Sequence, residues 1–234
     1  MAMLLSNARL IAGTAFDLPG MGYHNPKTGE MEGFEVEIAK AIAEELLGDS
    51  KKIKFVQVAP DNRIETLEED KADLVISQLT ITPDREERVD FSIPYYVGRE
   101  AILVRKDSGI KGYEDLKGKR VALAAGSISL RRMRERLTES TLIVTPMESG
   151  GVEAVVKGEA DAASNDNINL ERMHKHLAHP EDYEVIDIGD HFDKKPFGIA
   201  VKKGNRDLVE FVNAAITKLD ASGRIKEFAD KSME

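Results

Sequence analysis

The 234-residue chain contains no cysteine, which excludes a disulfide framework, a thiol nucleophile and any thiolate metal site. It also lacks an excess of positive charge: 33 Lys and Arg stand against 42 Asp and Glu, a net charge of −9. A surface that must neutralise phosphates is not expected, and no nucleic acid is assigned as a partner. Aromatic residues are only 6% of the chain, and the tyrosines are scattered without the basic interleaving that stacks single-stranded bases. Long apolar runs are missing as well. The opening "MAMLLSNARLIAGTAFD" is interrupted too early for a secretory signal or a membrane span, and no other stretch approaches the required length of about 18 apolar residues. If the protein works outside the cytoplasm, in the periplasm or tethered outside the cell, its export segment has been removed ahead of Met1. The cluster "HKHLAH" places His174, His176 and His179 at offsets that do not share a helical face, so neither a metal nor another cofactor is expected.

What is present is an alternation of strands and helices, with enough apolar residues for one large core or two modest ones. "RLIAGTAF" reads as a strand, and "FEVEIAKAIAEELLG" as an amphipathic helix carrying Ile38, Ile42 and Leu46 at four-residue spacing and stopping at Gly48. "KKIKFVQVA" reads as a strand, "DNRIETLEEDKA" as a helix and "DLVIS" as a buried strand. After "YYVGREAILVRKDSG" the pattern repeats: "KRVALAAGS", "SLRRMRERL", "TLIVTPM", "SGGVEAVVKGEA" and "DAASND" are strand, helix, strand, helix and strand, and "RDLVEFVNAAITKLDASGRIKEFAD" is one final helix. The fold class is α/β, with two β-α-β units forming two lobes. Lobe 1 is expected at 1–96 plus 196–234 and lobe 2 at 100–193, with a hinge where the chain crosses near 95–100 and 192–197. Ligands of such sheets meet the C-terminal strand ends, so the lobes face each other across a cleft.

Thr80 and Arg85 follow "DLVIS" directly. A guanidinium fork fits a carboxylate, and a threonine hydroxyl can complete the oxygen contacts; the alternative is that Arg85 belongs to the solvated run "DREER". The matching point in the second unit is Asp166, whose carboxylate suits an ammonium group, or caps the helix "NINLERM". An arginine for a carboxylate and a carboxylate for an ammonium describe an α-amino acid backbone. "AAGSIS" adds an anion-attracting helix start at Ser127 and Ser129, or an ordinary serine-capped helix.

"LTITPDREERVDFSIPYY", "GFEVEIAKAIA", "GVEAVVKGEADAASND" and "FGIAVKKGN" resemble, in order and over nearly the whole chain, the extracytoplasmic substrate-binding proteins of polar amino acid ABC transporters. The glutamate/aspartate-binding group is the branch suggested by "AFDLPGMGY" and "GDSKKIKFVQVAPDNRIETL". The resemblance implies a two-lobe periplasmic-binding-protein-like fold of type II that closes around one amino acid, a monomer, with an ABC transporter permease as partner and no catalysis. By that similarity Arg85, Thr80 and the Ser127 region hold the α-carboxylate, and Asp166 accepts the α-ammonium. Arg63 takes the position of an arginine that binds the distal carboxylate in acidic-amino-acid binders, whereas Ala15 stands where a second basic residue is common. Phe16 is an aromatic wall, Gln78 stands where a small or hydroxyl residue is usual, and Ser129 and Ser164 complete the expected ligand-binding set. Glutamate, glutamine or aspartate are the expected ligands. The rivals are a dehydratase-type enzyme on the same fold, using Asp17 or Asp166 as its acid, and a sensor domain of a receptor.

Overall fold

The computed structural model describes residues 9–233, so the first eight residues of the leading run lie outside the described residues. The first sheet begins with β1 (Leu10–Thr14), and a small antiparallel meander follows: β2 (Asp17–Leu18), β3 (Gly22–His24) and β4 (Met31–Glu32). Then come α1 (Phe34–Leu47), β5 (Ile53–Gln57), α2 (Arg63–Glu68), β6 (Leu74–Val75), α3 (Pro83–Glu86) and β7 (Val89–Phe91). A crossing strand, β8 (Tyr96–Gly98), leads to the second sheet, which contains β9 (Glu100–Arg105), β10 (Arg120–Ala124), α4 (Ile128–Arg136), β11 (Thr141–Thr145), α5 (Gly150–Val156), β12 (Ala162–Asp166), α6 (Asn167–Lys175) and β13 (Tyr183–Asp187). The return strand β14 (Lys195–Phe197) precedes β15 (Ala200–Lys202), α7 (Arg206–Ala221) and α8 (Arg224–Lys231).

The two five-stranded sheets have the same plan: β5-β1-β6-β15-β7 and β11-β10-β12-β9-β13. In each, the first three strands run parallel and the last two join antiparallel. Between them β8 and β14 form a two-stranded antiparallel ribbon, with Lys195 opposite Gly98 and Phe197 opposite Tyr96. The result is a two-lobe α/β structure whose parallel strands end at a common cleft.

Local chemistry accounts for these elements. In α1 the expected stripe is realised: Ile38 and Ile42 are fully buried and Leu46 packs against the core, each buried isoleucine contributing about 1.5–3 kcal/mol. The helix ends at Gly48 in the left-handed conformation. In α4 the Ser127 hydroxyl accepts the Leu130 N–H and caps the helix start. The single C-terminal helix expected from sequence is instead two, α7 and α8. Gly223 adopts φ 74 between them, where any other residue is strained, and the chain turns so that Phe228 is buried. The helix expected over "DNRIETLEEDKA" is only six residues long, because Asp70 takes a positive φ just beyond it.

Candidate functional site

The C-terminal ends of β1, β6, β10 and β12 place Thr14 to Phe16, Ser77 to Thr80, Ala125 to Ser127, and Asp166 around the cleft. Backbone contacts bring the two walls together. Arg85 donates Nη1–H to the Thr80 carbonyl (2.8 Å) in its own lobe and Nη2–H to the Gly126 carbonyl (3.1 Å) in the other. Arg131 pairs with Asp84 at 3.0 Å across the rim, and the Ser149 N–H donates to Asp17 Oδ2 at 3.0 Å. A groove of about 480 Å³ remains at the mouth, lined by Arg63, Arg85, Arg88, Ser127, Arg131 and Asp61. Arg85 is buried, not part of a solvated run; burial brings its guanidinium down to about 9, and Arg63 nearby acts in the same direction.

Arg63 is 3% exposed. Its Nε–H bonds the Pro60 carbonyl (3.1 Å) and its Nη1–H the Ser77 carbonyl (2.6 Å), so much of this side chain fastens the loop after β6. Burial lowers its pKa, while the carboxylates of Glu148, Asp166 and Glu35 favour the charged form. The loop needs that fastening because Gln78 adopts φ 44, an unfavourable backbone for a residue with a Cβ. From the other side, Glu35 Oε1 accepts the Gln78 N–H at 2.8 Å, and the Gln78 carboxamide and the Tyr95 hydroxyl also donate to this carboxyl group. Burial lifts Glu35 to about 7, with the Tyr95 hydroxyl, Gln78 and Arg63 opposing the rise. A strained residue clamped between a buried acid and a buried arginine is typical of functional loops.

Asp166 sits at the helix N-cap position of α6 but makes no side-chain cap bond. Its Oδ1 faces the Lys195 ammonium at 3.0 Å. Lys195 is 1% exposed and also pairs with Glu100 Oε2 at 2.7 Å while donating to the Ser129 hydroxyl at 2.7 Å. Burial alone would lower Lys195; Asp166 and Glu100 outweigh it and hold the ammonium above its ordinary range. Burial raises Asp166, with Lys195 opposing.

The expected site residues are therefore distributed unevenly. Arg85, Thr80, Asp166, Arg63 and Gln78 are all buried around the cleft. Phe16 is half-buried and stacks on His24 with centroids 5.8 Å apart. The Ser127 hydroxyl is occupied by capping, since it donates to the Ala124 carbonyl and accepts from Leu130, and its backbone N–H also donates to the Ala124 carbonyl at 3.3 Å. Ser129 and Ser164 are not directed to a ligand in this arrangement: Ser129 receives Lys195, and Ser164 donates to Glu100 Oε1 at 2.8 Å. Of the two acids considered for an enzyme, Asp17 accepts a backbone N–H and Asp166 faces a lysine.

Four residues of this cleft were not singled out from sequence: Glu35, Tyr95, Glu148 and Lys195. Glu148, on the loop before α5, is 6% exposed and its Oε2 accepts the Asn165 carboxamide N–H at 2.8 Å. Burial lifts it to about 7, with Arg63 opposing and Asp166 and Asp17 adding to the rise.

Comparison with known proteins agrees with this fold. The chain is 35% identical over 232 residues to the ABC transporter glutamine-binding protein of Bacillus subtilis, covering 99% of this chain and 83% of that one. It is 36% identical over 200 residues to the glutamine-binding protein of Geobacillus stearothermophilus, covering 85% and 74%. The crystal structure of the cysteine-binding protein from Campylobacter jejuni superposes with a TM-score of 0.91 at 31% identity, covering 100% of this chain and 92% of that one. With residues 10–234 matched to its profile, the chain belongs to the bacterial extracellular solute-binding proteins, family 3.

Proposed function

We propose that this protein captures a polar L-amino acid, with glutamate, glutamine and aspartate as the candidate ligands, in the cleft and delivers it to the permease of an ABC transporter outside the cytoplasm. Arg85, with Thr80 and the backbone N–H groups at the start of α4, binds the α-carboxylate; Asp166 binds the α-ammonium through Oδ2, with Oδ1 held by Lys195; Phe16 covers the aliphatic part. The lobes, 1–96 plus 196–234 and 100–193, swing about the β8–β14 ribbon. The observation that carries this reading is the burial of Arg85 and Asp166 in one cleft on elements of opposite sheets. A ligand bridging both therefore favours the closed state by its differential contacts. The relatives named as glutamine-binding support the ligand class. No constellation for chemistry accompanies these groups, and the reading is of a binding protein.

Thermal-shift measurement over the twenty amino acids tests it, since a ligand bound only by the native state raises the melting temperature. Arg85→Ala and Asp166→Asn should each remove that shift for every amino acid, because one unpaired ligand charge in a closed cleft costs about 2–5 kcal/mol. Near-native affinity by calorimetry in either variant would show that residue to be outside the backbone clamp.

A further inference from the structure

Asp166, the acid assigned to the ligand's ammonium, belongs to a buried trio whose other two members that assignment leaves without a part in binding. Glu100 begins β9 and stands directly opposite Asp166 on β12. Lys195 enters from the return strand β14, opposite Gly98 of the ribbon. Its ammonium lies 2.7 Å from Glu100 Oε2, 3.0 Å from Asp166 Oδ1 and 2.7 Å from the Ser129 hydroxyl, so three oxygens surround a group with three donors. The ribbon approaches this closely because Gly98 has no side chain: a Cβ there would lie 3.3 Å from Asp166 Oδ1 and 2.8 Å from Phe197 Cζ. Glu100 is engaged through both oxygens, Oε1 accepting the Ser164 hydroxyl at 2.8 Å and Oε2 facing Lys195. Side-chain exposure is 0% for Glu100, 1% for Lys195 and 10% for Asp166, which makes Asp166 the member that a molecule in the cleft can reach.

Among the described residues, Lys195 is the one cation within ion-pair distance of either acid. Two carboxylates and one ammonium leave a single negative charge unmatched. A buried charge in that condition is costly until a cation meets it, and a ligand ammonium at Asp166 makes the charges equal. With Asp166 and Lys195 alone, the acid would already be matched, and an incoming ammonium would itself be the excess charge. We infer that Glu100 is a positioning residue for ammonium recognition: by matching Lys195 it leaves the charge of Asp166 for the ligand, while Lys195 fixes the Asp166 oxygen that the ligand does not use. This inference rests on the amino-acid-binding reading. It adds that selection for a charged amino group is set by a pair at the hinge that does not touch the ligand.

The test is calorimetric titration of wild type, Glu100→Gln and the double variant Glu100→Gln/Lys195→Met. The probes are glutamine, glutamate and aspartate, and their analogues without the amino group, 4-carbamoylbutanoate, glutarate and succinate. Glu100→Gln should bind each amino acid that wild type binds at least about tenfold more weakly, as expected for an unmatched charge in a closed cleft. It should bind the amine-free analogues no more weakly than wild type does. The double variant, in which Asp166 again carries the only charge of the trio, should recover most of the lost amino acid affinity.

An amino acid affinity in Glu100→Gln equal to that of wild type overturns the inference. So does an equal loss for an amino acid and its amine-free analogue, or a double variant that binds no better than Glu100→Gln, since each marks a role in packing alone. If Glu100→Gln shows no cooperative unfolding, the double variant decides: affinity near wild type sustains the inference, and a loss of about tenfold or more overturns it. Wild type binding an amino acid and its amine-free analogue equally leaves the cleft as the site and overturns only the inference. Wild type binding none of the three amino acids overturns the amino-acid reading, and the inference with it.

Discussion

Gly126 tests closure more directly than any charged residue, because its contact exists only when the lobes meet. It adopts φ 72, and a Cβ built there falls 2.6 Å from Asp61 Cα, 2.8 Å from Asp61 N and 2.8 Å from the Pro60 carbonyl. All three are backbone atoms, so no side chain can swing aside. Carbon atoms prefer separations of about 3.5–4.0 Å, so Gly126→Ala must hold the walls apart by about 1 Å at that point. The hydrogen bond from Arg85 to the Gly126 carbonyl, already 3.1 Å long, then exceeds bonding distance. Losing a hydrogen bond to a charged group costs about 1.5–3 kcal/mol, borne by the closed state only. Apparent affinity falls as the closed fraction falls, so the dissociation constant should rise about ten- to a hundredfold. The left-handed backbone itself costs about 1 kcal/mol in open and closed states alike. Gly118→Ala is the matched control: it has the same φ of 72 and nothing within 4 Å. Calorimetry should show weakened binding in the first variant only, with both melting slightly earlier. If Gly126→Ala binds as tightly as Gly118→Ala, the 126–61 contact does not gate closure.

Two further outcomes follow from the buried charges. Lys195→Met leaves Glu100 and Asp166 without their cation in a closed interior; breaking a buried pair in this way costs about 3–5 kcal/mol, read as a fall in the denaturation midpoint, and adding Glu100→Gln should recover part of it. A midpoint close to wild type in Lys195→Met would remove the lysine from the hinge's energetics. Glu35 is neutral in the folded protein up to about 7 but ionises near 4.5 when unfolded, so the stability it contributes is complete below pH 4.5 and is lost as pH rises through 7. At about 1.4 kcal/mol per unit this amounts to roughly 3 kcal/mol. Burial raises Glu148 and Asp166 as well, so Glu35→Gln should shrink the decline in unfolding free energy between pH 4.5 and 7 by roughly 3 kcal/mol without abolishing it, and an undiminished decline would refute the burial argument.

The placement of Thr80, Arg85 and Asp166 was readable because strand ends are readable: an apolar run, then a polar break, marks where parallel strands reach a cleft. Two residues that were passed over carried signals of the same kind. Glu35 lies in register with Ile38 and Ile42 on the buried stripe of α1, so an acid was written into an apolar face. Lys195 alternates with Phe197, both buried on β14, so period-two patterning already pointed it inward. Glu148 carried no such signal: it sits in a loop, and its partner Asn165 is brought near only by tertiary structure. The break at Gly223 was marked by "ASG", but the continuing amphipathic pattern on either side hid it. Ser129 and Ser164 suit an anion site by residue type; their partners here, Lys195 of the hinge ribbon and Glu100 of β9, are remote in sequence.

The strand order of the first sheet also bears on how the chain assembles. β15 lies between β6 and β7, and β7 has no other partner in that sheet. Every strand of the second sheet, by contrast, falls within residues 100–187. A chain emerging from its N-terminus therefore holds Val89–Phe91 as an unpaired edge until Ala200–Lys202 arrives, while the second sheet can complete in the interval. Long-range strand insertion is slow, and waiting edges recruit other chains. The lobe that begins first finishes last, and the interval is the period in which the nascent protein has most need of a chaperone.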